Sequence, residues 1–135
     1  MKKESDIVKK LFILLLAVMM FTACGQDKEN DRGAVYVNIT AEEAKQIMDI
    51  EEGYIILDVR EQDEYDAGHI PGGILIPYTQ IEEKAKEMLP DKDQLILVYC
   101  RSGRRSKIAA EALVELGYTN IKEFGGIIDW PYEVE

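Results

Sequence analysis

Residues 95–106 read Leu-Ile-Leu-Val-Tyr-Cys-Arg-Ser-Gly-Arg-Arg-Ser. The first five side chains are apolar or aromatic, and a continuous run of this kind predicts a strand that is buried on both faces. A polar loop with one glycine follows, and from Ser106 to Leu116 apolar residues recur at helical spacing before Gly117. A strand, a tight loop and a helix in direct succession indicate one unit of a parallel α/β sheet.

The chain on either side of this unit repeats the alternation of strand and helix. Further short strands are predicted at residues 35–39, 54–59, 74–76 and 121–124. Helices are predicted after the capping box formed by Thr40 and Glu43, at residues 61–67 and 80–88, and around Trp130. This alternation favours a doubly wound parallel sheet with helices on both faces. We therefore expect one α/β domain over residues 34–135, whose 102 residues suffice for a core of its own.

The first 24 residues differ from the rest in composition. Lysines near the start precede an uncharged, mostly apolar run over residues 11–23, and Cys24 follows Phe21-Thr22-Ala23. A run of 13 residues is shorter than the about 20 that a membrane-spanning helix needs, and a basic start with small residues before a cleavage point is typical of a secretory signal. A buried helix or a short signal anchor is the alternative.

The Phe-Thr-Ala-Cys ending resembles the lipobox of bacterial lipoproteins, although phenylalanine stands where that family usually has leucine or another aliphatic residue. The resemblance implies cleavage before Cys24 and attachment of acyl chains to its thiol, which would hold the protein on a membrane. On this interpretation residues 1–23 are a signal peptide, residues 24–33 are a polar tether and residues 34–135 are the domain. Because the lysines of such a signal stay cytoplasmic, the domain is expected on the extracytoplasmic side of a bacterial cell membrane.

Composition excludes several classes of protein. The formal net charge is -10, which argues against a nucleic-acid binder because such a protein needs a basic face. Two cysteines and one histidine are too few for a zinc finger or a disulfide-rich scaffold. Residues 1–23 carry four lysines and two acidic residues, so their removal would leave a charge of -12. These counts are typical of a small acidic globular domain with one candidate reactive thiol.

Cys100 stands at the end of the strongest predicted strand. In an open parallel sheet ligands bind beyond the carboxyl ends of the strands, and a helix N-terminus there favours an anion or a thiolate. Arginines also lower a cysteine pKa, and Arg101, Arg104 and Arg105 lie within five residues of Cys100 in an otherwise acidic chain. A buried, inert cysteine with arginines that serve solubility is the alternative. The glycine and the basic cluster together favour a reactive thiolate.

Three other segments resemble the same known family as this loop does. They read Leu-Asp-Val-Arg-Glu followed by Glu-Tyr within residues 57–65, Gly-His-Ile-Pro-Gly-Gly at residues 68–73, and Gly-Gly-Ile-Ile-Asp-Trp at residues 125–130. Together with the loop they resemble the rhodanese-type sulfurtransferases, and the resemblance covers nearly all of residues 35–132. Gly73 replaces the alanine that is usual in the turn of that family, a change without consequence for the chemistry.

The resemblance implies a doubly wound α/β domain in which Cys100 is the catalytic residue and cycles through a persulfide. The cysteine would attack the sulfane sulfur of an anionic donor, such as thiosulfate or polysulfide, and pass it to cyanide or a thiol. The loop that would hold the donor and the persulfide consists of Arg101, Ser102, Gly103, Arg104 and Arg105. The resemblance implies neither a cofactor nor a metal.

Four further residues in the matching segments are expected to support the site. Asp58 interrupts a buried strand, so we expect it to make a hydrogen bond or an ion pair at the active end. Arg60 and Glu64 are expected to pair with each other beside the loop, and His69 can titrate near neutral pH. The resemblance agrees that all four belong to the scaffold rather than to the reacting groups.

Two rival functions stay open. A cysteine phosphatase or arsenate reductase uses a similar loop but requires Cys-x5-Arg, whereas here Arg105 is the fifth residue after Cys100 and Ser106 is the sixth. A non-catalytic persulfide carrier or sulfur-binding module would keep the same cysteine as an enzyme, so both fit the sequence.

Overall fold

A computed structural model of the chain describes residues 35–135. The predicted signal peptide, Cys24 and the predicted tether lie outside the described residues. The strands are β1 (Val37–Asn38), β2 (Ile55–Asp58), β3 (Ile74–Leu75), β4 (Ile96–Cys100) and β5 (Ile121–Gly126). The helices are α1 (Ala41–Ile50), α2 (Gln62–Asp66), α3 (Ile81–Met88) and α4 (Arg104–Glu115). Short 3-10 turns are formed by Tyr78–Gln80 and Ile127–Asp129.

The five strands pair in parallel in the order β1-β5-β4-β2-β3. Strand β4 occupies the middle, where Val98 aligns with Leu57 of β2 on one side and with Glu123 of β5 on the other. Helices cover both faces, so the predicted doubly wound α/β fold is confirmed. The carboxyl end of β4 therefore lies between β2 and β5, at the edge where ligands bind in such sheets.

Alternate residues of β4 enter two cores, one on each face of the sheet. Val98 and Cys100 pack with residues of α3 and α4, whereas Leu97 and Tyr99 pack with Ala44 of α1 and with the C-terminal segment. All residues of β4 are buried. This arrangement explains the continuous apolar run, because a strand that is covered on both faces has no solvent side for polar side chains. It also places the Cys100 side chain on the face that α4 covers.

The boundaries around the loop differ from the predicted ones. Helix α4 begins at Arg104, two residues before the predicted start, because Gly103 adopts a φ of +102° and turns the backbone directly into the helix. Strand β5 continues through Gly126, two residues beyond the predicted end, since Gly126 pairs with Cys100 across an irregularity in the ladder. The last helical segment is a 3-10 turn that ends before Trp130.

The N-terminal part of the domain combines a weak strand with a well-capped helix. Strand β1 has two residues instead of the predicted five, and Val37 is 53% exposed because β1 lies at the edge of the sheet. Helix α1 begins with the predicted capping box, in which the side chains of Thr40 and Glu43 each accept a hydrogen bond from the other residue's backbone N–H, at 3.1 and 2.8 Å.

Candidate active site

The Cys100 side chain lies under the loop that joins β4 to α4, and the residue is 1% exposed. The Gly103 N–H donates a hydrogen bond to the sulfur at 3.0 Å, and the thiol donates to the Ser106 hydroxyl oxygen at 3.4 Å. The left-handed conformation of Gly103 permits this geometry, since it folds the loop back over the sulfur. The loop and the first turn of α4 therefore enclose the sulfur at the ligand-binding edge of the sheet.

The surroundings of Cys100 favour its thiolate. Burial by itself raises the pKa of the thiol. The Ser106 hydroxyl and the backbone N–H groups of Ser106, Gly103 and Ser102 act in the opposite direction through hydrogen bonds. The hydrogen bonds prevail, so the pKa of Cys100 lies below its ordinary value, as expected for a nucleophilic cysteine.

A buried serine and a buried glutamate lie behind the sulfur. Ser106 has no exposed surface, and its hydroxyl donates to Glu123 Oε1 at 2.5 Å. Glu123 is 2% exposed and also accepts a hydrogen bond from the Gly125 N–H at 2.8 Å. Neither Ser106 nor Glu123 is among the site residues predicted from the sequence. The signal that could have found Glu123 is its acidic side chain within a short strand of otherwise apolar and basic residues.

The three arginines of the loop have different surroundings. Arg101 and Arg104 are exposed. Arg105 instead donates two hydrogen bonds to the Glu64 carboxylate, at 2.7 and 2.8 Å. These hydrogen bonds lower the pKa of Glu64 from 4.5 to about 2. The loop therefore presents two guanidinium groups to solvent and anchors the third on α2.

The expected ion pair between Arg60 and Glu64 does not form. Arg60 binds Asp58, with its Nη2 atom 2.7 Å from Oδ2, and Glu64 binds Arg105. The reason is the burial of Asp58, because a carboxylate without exposed surface needs the nearest guanidinium as its partner. Glu64 faces the first turn of α4 and so stabilises the cysteine loop directly, which the sequence spacing did not predict.

Residues 40–131 match the sequence profile of the family described as Rhodanese-like domain. The chain belongs to this family. The match confirms the resemblance carried by the loop and the three other segments.

Relatives of this rhodanese-like domain include two curated bacterial proteins. One is named "Putative sulfur carrier protein YrkF", from Bacillus subtilis, and is 35% identical over 116 residues, which are 85% of this chain and 62% of that protein. The other is Thiosulfate sulfurtransferase PspE from Escherichia coli, 40% identical over 73 residues, which are 54% of this chain and 70% of that protein. The chain thus spans less than two thirds of the length of YrkF.

Solved structures show the same fold. The crystal structure of a rhodanese-related protein from Thermoplasma volcanium superposes with a TM-score of 0.65 at 35% identity and covers 74% of this chain and 98% of that one. The two proteins therefore share the rhodanese-like fold, and the aligned region includes almost all of the Thermoplasma volcanium chain.

A second polar cluster of the rhodanese-like domain lies across the sheet from Cys100. Arg60 donates to both oxygens of Asp58, and the Tyr99 hydroxyl donates to Asp58 Oδ2 at 2.6 Å. The Arg60 guanidinium also donates to the Gly68 carbonyl at 2.7 Å. Burial and the Asp58 carboxylate raise the pKa of Tyr99, so its phenol keeps its proton and its hydrogen bond. The cluster ties the ends of β2 and β4 to the turn that precedes β3.

His69 belongs to this turn and not to the cysteine loop. Its ring stacks on the Tyr65 ring, with centroids 3.8 Å apart and an interplanar angle of 7°. Its Nδ1 atom lies 3.1 Å from the Tyr65 carbonyl, and its Nε2 atom lies 3.3 Å from Glu135 Oε1. These contacts join His69 to α2 and to the C-terminal residue, and its predicted supporting role stays a prediction.

A cavity of about 520 Å³ opens on the same side of the sheet as α1. Its lining includes Met48, Tyr54, Ile70 and Trp130, which belong to or pack against the core opposite Cys100. Among residues 35–135, no cluster of three His, Cys, Asp or Glu side chains is arranged to hold a metal ion. The Cys100 sulfur belongs to the core on the other face of the sheet, so the candidate site is the space under the cysteine loop rather than this cavity.

The Glu64–Arg105 ion pair predicts a pH-dependent contribution to stability. Because the pKa of Glu64 is about 2 in the folded domain against 4.5 for a free side chain, the pair stabilises the fold above about pH 4.5 and loses this effect as the pH falls towards 2. We expect Glu64→Gln to lower the free energy of unfolding at pH 7 by about 1–2 kcal/mol, a value reduced for partial exposure of the pair. Urea unfolding at pH 7 and pH 3 measures it.

The control for this experiment is Glu83→Gln, which removes an exposed carboxylate from α3. We expect the difference between Glu64→Gln and wild type to shrink from pH 7 to pH 3, while Glu83→Gln stays close to wild type at both. A Glu64→Gln difference of equal size at both pH values would show that the ion pair is not its cause.

Proposed function

We propose that this rhodanese-like domain is a sulfurtransferase that moves a sulfane sulfur from an anionic donor to a nucleophilic acceptor through a persulfide at Cys100. The donor belongs to the thiosulfate or polysulfide class, and the acceptor is cyanide or a thiol. The observation that carries the proposal is the enclosed Cys100 sulfur, held by the Gly103 N–H at the end of β4. The names of PspE and YrkF, a thiosulfate sulfurtransferase and a sulfur carrier, support the same chemistry.

In the first half of the reaction the Cys100 thiolate attacks the outer sulfur of thiosulfate. A bond forms between the two sulfurs, the S–S bond of the donor breaks, and sulfite leaves with the electron pair. The products are a cysteine persulfide anion and sulfite, so atoms and charge balance. In the second half the acceptor attacks the outer sulfur and the Cys100 thiolate leaves. The hydrogen bonds that stabilise the thiolate also make it a better leaving group.

The exposed arginines supply the attraction for an anionic donor. Arg101 and Arg104 are exposed beside the sulfur, whereas the charge of Arg105 is paired with Glu64. In a chain with a net charge of -10, two solvent-facing guanidiniums at one loop create a local positive potential. They would raise the concentration of a small anion at the mouth of the cradle.

A steady-state screen of donors and acceptors tests this proposal. The full chain is offered thiosulfate or polysulfide together with cyanide or a thiol, and formation of thiocyanate or persulfide is followed. We expect saturable turnover with at least one pair and a lower kcat/KM at high ionic strength, because salt screens the exposed arginines. Absence of sulfur transfer from both donor classes would refute the proposal.

A persulfide carrier is the second candidate function, and the similarity to YrkF favours it. A carrier would take up one sulfur at Cys100 but would not release it to small acceptors at a steady rate. The same screen separates the two functions: stoichiometric loading without turnover identifies a carrier, and turnover identifies an enzyme.

The geometry disfavours a cysteine phosphatase. The position at which that class needs an arginine holds Ser106, which is buried and donates to Glu123. Arg105, one position earlier, is paired with Glu64. Hydrolysis of an aryl phosphate with little sulfur transfer from thiosulfate would reverse this assignment.

We also infer that the mature chain is attached to the extracytoplasmic face of a bacterial cell membrane through lipid on Cys24. The support is the sequence of residues 1–24, with its basic start, apolar run and Phe-Thr-Ala-Cys ending. Within residues 35–135, helices long and apolar enough to cross a membrane are absent. On this proposal acyl chains on Cys24 hold the domain to the membrane.

Replacement of Cys24 by serine is expected to abolish acylation and to leave residues 1–23 attached. Metabolic labelling with palmitate in a bacterial host, followed by intact-mass analysis, measures both effects. Cys100→Ser is the matched control and should keep its label, because it changes the other cysteine of the chain. Labelling of the Cys24→Ser chain, or an unlabelled wild type, would contradict lipid attachment at this residue.

A further inference from the structure

A buried carboxylate behind Cys100 has no role in the transfer step described above. Glu123 is 2% exposed, yet among residues 35–135 its carboxylate forms no salt bridge. Asp58 and Glu64, by contrast, are each paired with an arginine. An unpaired carboxylate in a core is costly unless it accepts hydrogen bonds or carries a proton. The hydrogen bonds of Glu123 come from Ser106 and from the Gly125 N–H.

Ser106 joins this carboxylate to the sulfur. Its Oγ atom lies 2.5 Å from Glu123 Oε1, 3.0 Å from the Gly103 carbonyl oxygen, and 3.4 Å from both Cys100 Sγ and the Gly125 carbonyl oxygen. The hydroxyl has one proton to give, and its contact with Glu123 is the shortest of the four, so a hydrogen bond with the sulfur as well needs a second proton. The second proton must therefore reside on the sulfur or on the carboxylate. If Cys100 and Glu123 were both ionised, one of the two contacts would join acceptors without a proton.

We propose that Glu123 accepts the proton of the Cys100 thiol and that the Ser106 hydroxyl passes it between them. In this relay, formed by Cys100, Ser106 and Glu123, the S–H bond breaks as an Oγ–H bond forms, and the former hydroxyl proton moves to Oε1. No electrons are exchanged, and the summed charge of the three groups stays the same. The product is a thiolate that accepts hydrogen bonds from Ser106 and from the Gly103 N–H. The role of the relay rests on the proposed sulfur transfer, because the thiolate that it produces is the one that attacks the donor.

Other charged or titratable groups near the relay are poor proton acceptors. In the segment before β1, burial and then the Glu111 and Glu123 carboxylates raise the pKa of Tyr36, so its phenol keeps its own proton. On α4, Arg105 interacts with the charge of Cys100, but a guanidinium has no lone pair to accept a proton. Within the part of the chain that the structure describes, Glu123 is thus the base connected to the sulfur.

The relay predicts an unusual pH profile for the reactivity of Cys100. The thiolate with a protonated Glu123 contains as many protons as the thiol with an ionised Glu123. The Cys100 thiolate is therefore present over a pH range in which Cys100 and Glu123 together hold one proton. The alkylation rate should rise in two steps with a plateau between them, whereas an isolated cysteine gives one step with a change of about tenfold per pH unit below its pKa.

The experiment measures alkylation of Cys100 by iodoacetamide as a function of pH, in the full chain carrying Cys24→Ser so that one thiol remains. The ultraviolet absorbance of the thiolate follows the same titration, and it needs no reagent to reach the buried sulfur. Glu123→Gln keeps the shape of the side chain but cannot take the proton, and Ser106→Ala removes the carrier. Glu111→Gln is the control, because it removes a nearby carboxylate outside the relay.

We expect two steps in the parent chain and in Glu111→Gln, and one step in both Glu123→Gln and Ser106→Ala. At the pH of the lower plateau, both relay variants should react at least about tenfold more slowly than the parent. A purely structural role for Glu123 would move the profile along the pH axis without removing the plateau. A single step in the parent chain would overturn the proposal, and this measurement needs no variant. A plateau retained in Glu123→Gln would overturn it as well. Because the assay contains no sulfur donor, its outcome is independent of whether sulfur transfer is found.

Discussion

Replacing Cys100 by serine is expected to abolish sulfur transfer. Serine has almost the same shape as cysteine, so the Gly103 N–H and Ser106 can keep their places around it. An alcohol does not ionise in the neutral range and cannot hold a sulfane sulfur as a persulfide. Steady-state assays with thiosulfate and each acceptor should therefore give no rate above that of the uncatalysed mixture.

The matched control for Cys100→Ser is Ser102→Ala. Ser102 lies in the same loop and is exposed, and its contribution to the cysteine environment comes from its backbone N–H, which the alanine keeps. We expect this variant to retain most of the activity. Circular dichroism should show native secondary structure for both variants. Sulfur transfer by folded Cys100→Ser at more than a small fraction of the wild-type rate would remove Cys100 from the mechanism.

Replacing Gly126 by alanine is expected to disrupt the cysteine loop. Gly126 has an ordinary extended backbone, so the effect does not arise from its φ. A Cβ atom at this position would lie 1.9 Å from the Arg101 carbonyl oxygen, which belongs to the backbone of the cysteine loop. Either β5 or the loop must move, which costs about 3 kcal/mol of stability. A displacement of the loop by about 1 Å can reduce catalysis about 100-fold.

Gly73→Ala provides the comparison for this variant. Its Cβ would lie 3.0 Å from the Ile70 carbonyl oxygen, a tight contact that a small adjustment relieves. Thermal unfolding and kcat/KM should place Gly73→Ala near wild type and Gly126→Ala far below it. Equal activity and stability of Gly126→Ala and wild type would mean that β5 and the loop are not in contact as described.

The sequence predicts the framework of the site well because the framework depends on local patterns. The run that ends at Cys100 is apolar throughout since both faces of β4 are covered, and this is visible without any tertiary information. The capping box of Thr40 and Glu43 likewise depends on residues three apart in the chain. The place of the cysteine at the carboxyl end of the strongest predicted strand follows from the first of these signals.

The contacts that complete the site depend on distant residues, and the sequence does not predict them. Arg105 pairs with Glu64 across 41 positions of the chain, whereas the nearby Arg60 is taken by the buried Asp58. Spacing alone made Arg60 the apparent partner of Glu64. A choice among several guanidiniums depends on which helix faces which, and that is a property of the folded chain.

The contacts of two β5 residues, Glu123 and Gly126, are not predicted from the sequence for the same reason. The sequence indicates a turn at Gly125-Gly126, but not that the Arg101 carbonyl packs against Gly126. It shows an acidic residue in a short strand, but not that Glu123 points inward to Ser106, 17 positions earlier. The irregularity in the pairing of β4 with β5 brings these groups together under the loop.

Mass spectrometry shows whether Cys100 carries the sulfur during transfer. The full chain carrying Cys24→Ser is incubated with thiosulfate, desalted under non-reducing conditions and analysed intact and after digestion. We expect one added sulfur on the peptide that contains Cys100, its removal by cyanide or a thiol, and no adduct when Cys100 is also replaced by serine. A chain that gains no sulfur from thiosulfate or from polysulfide, or that gains it at another residue, would show that Cys100 does not carry the sulfur.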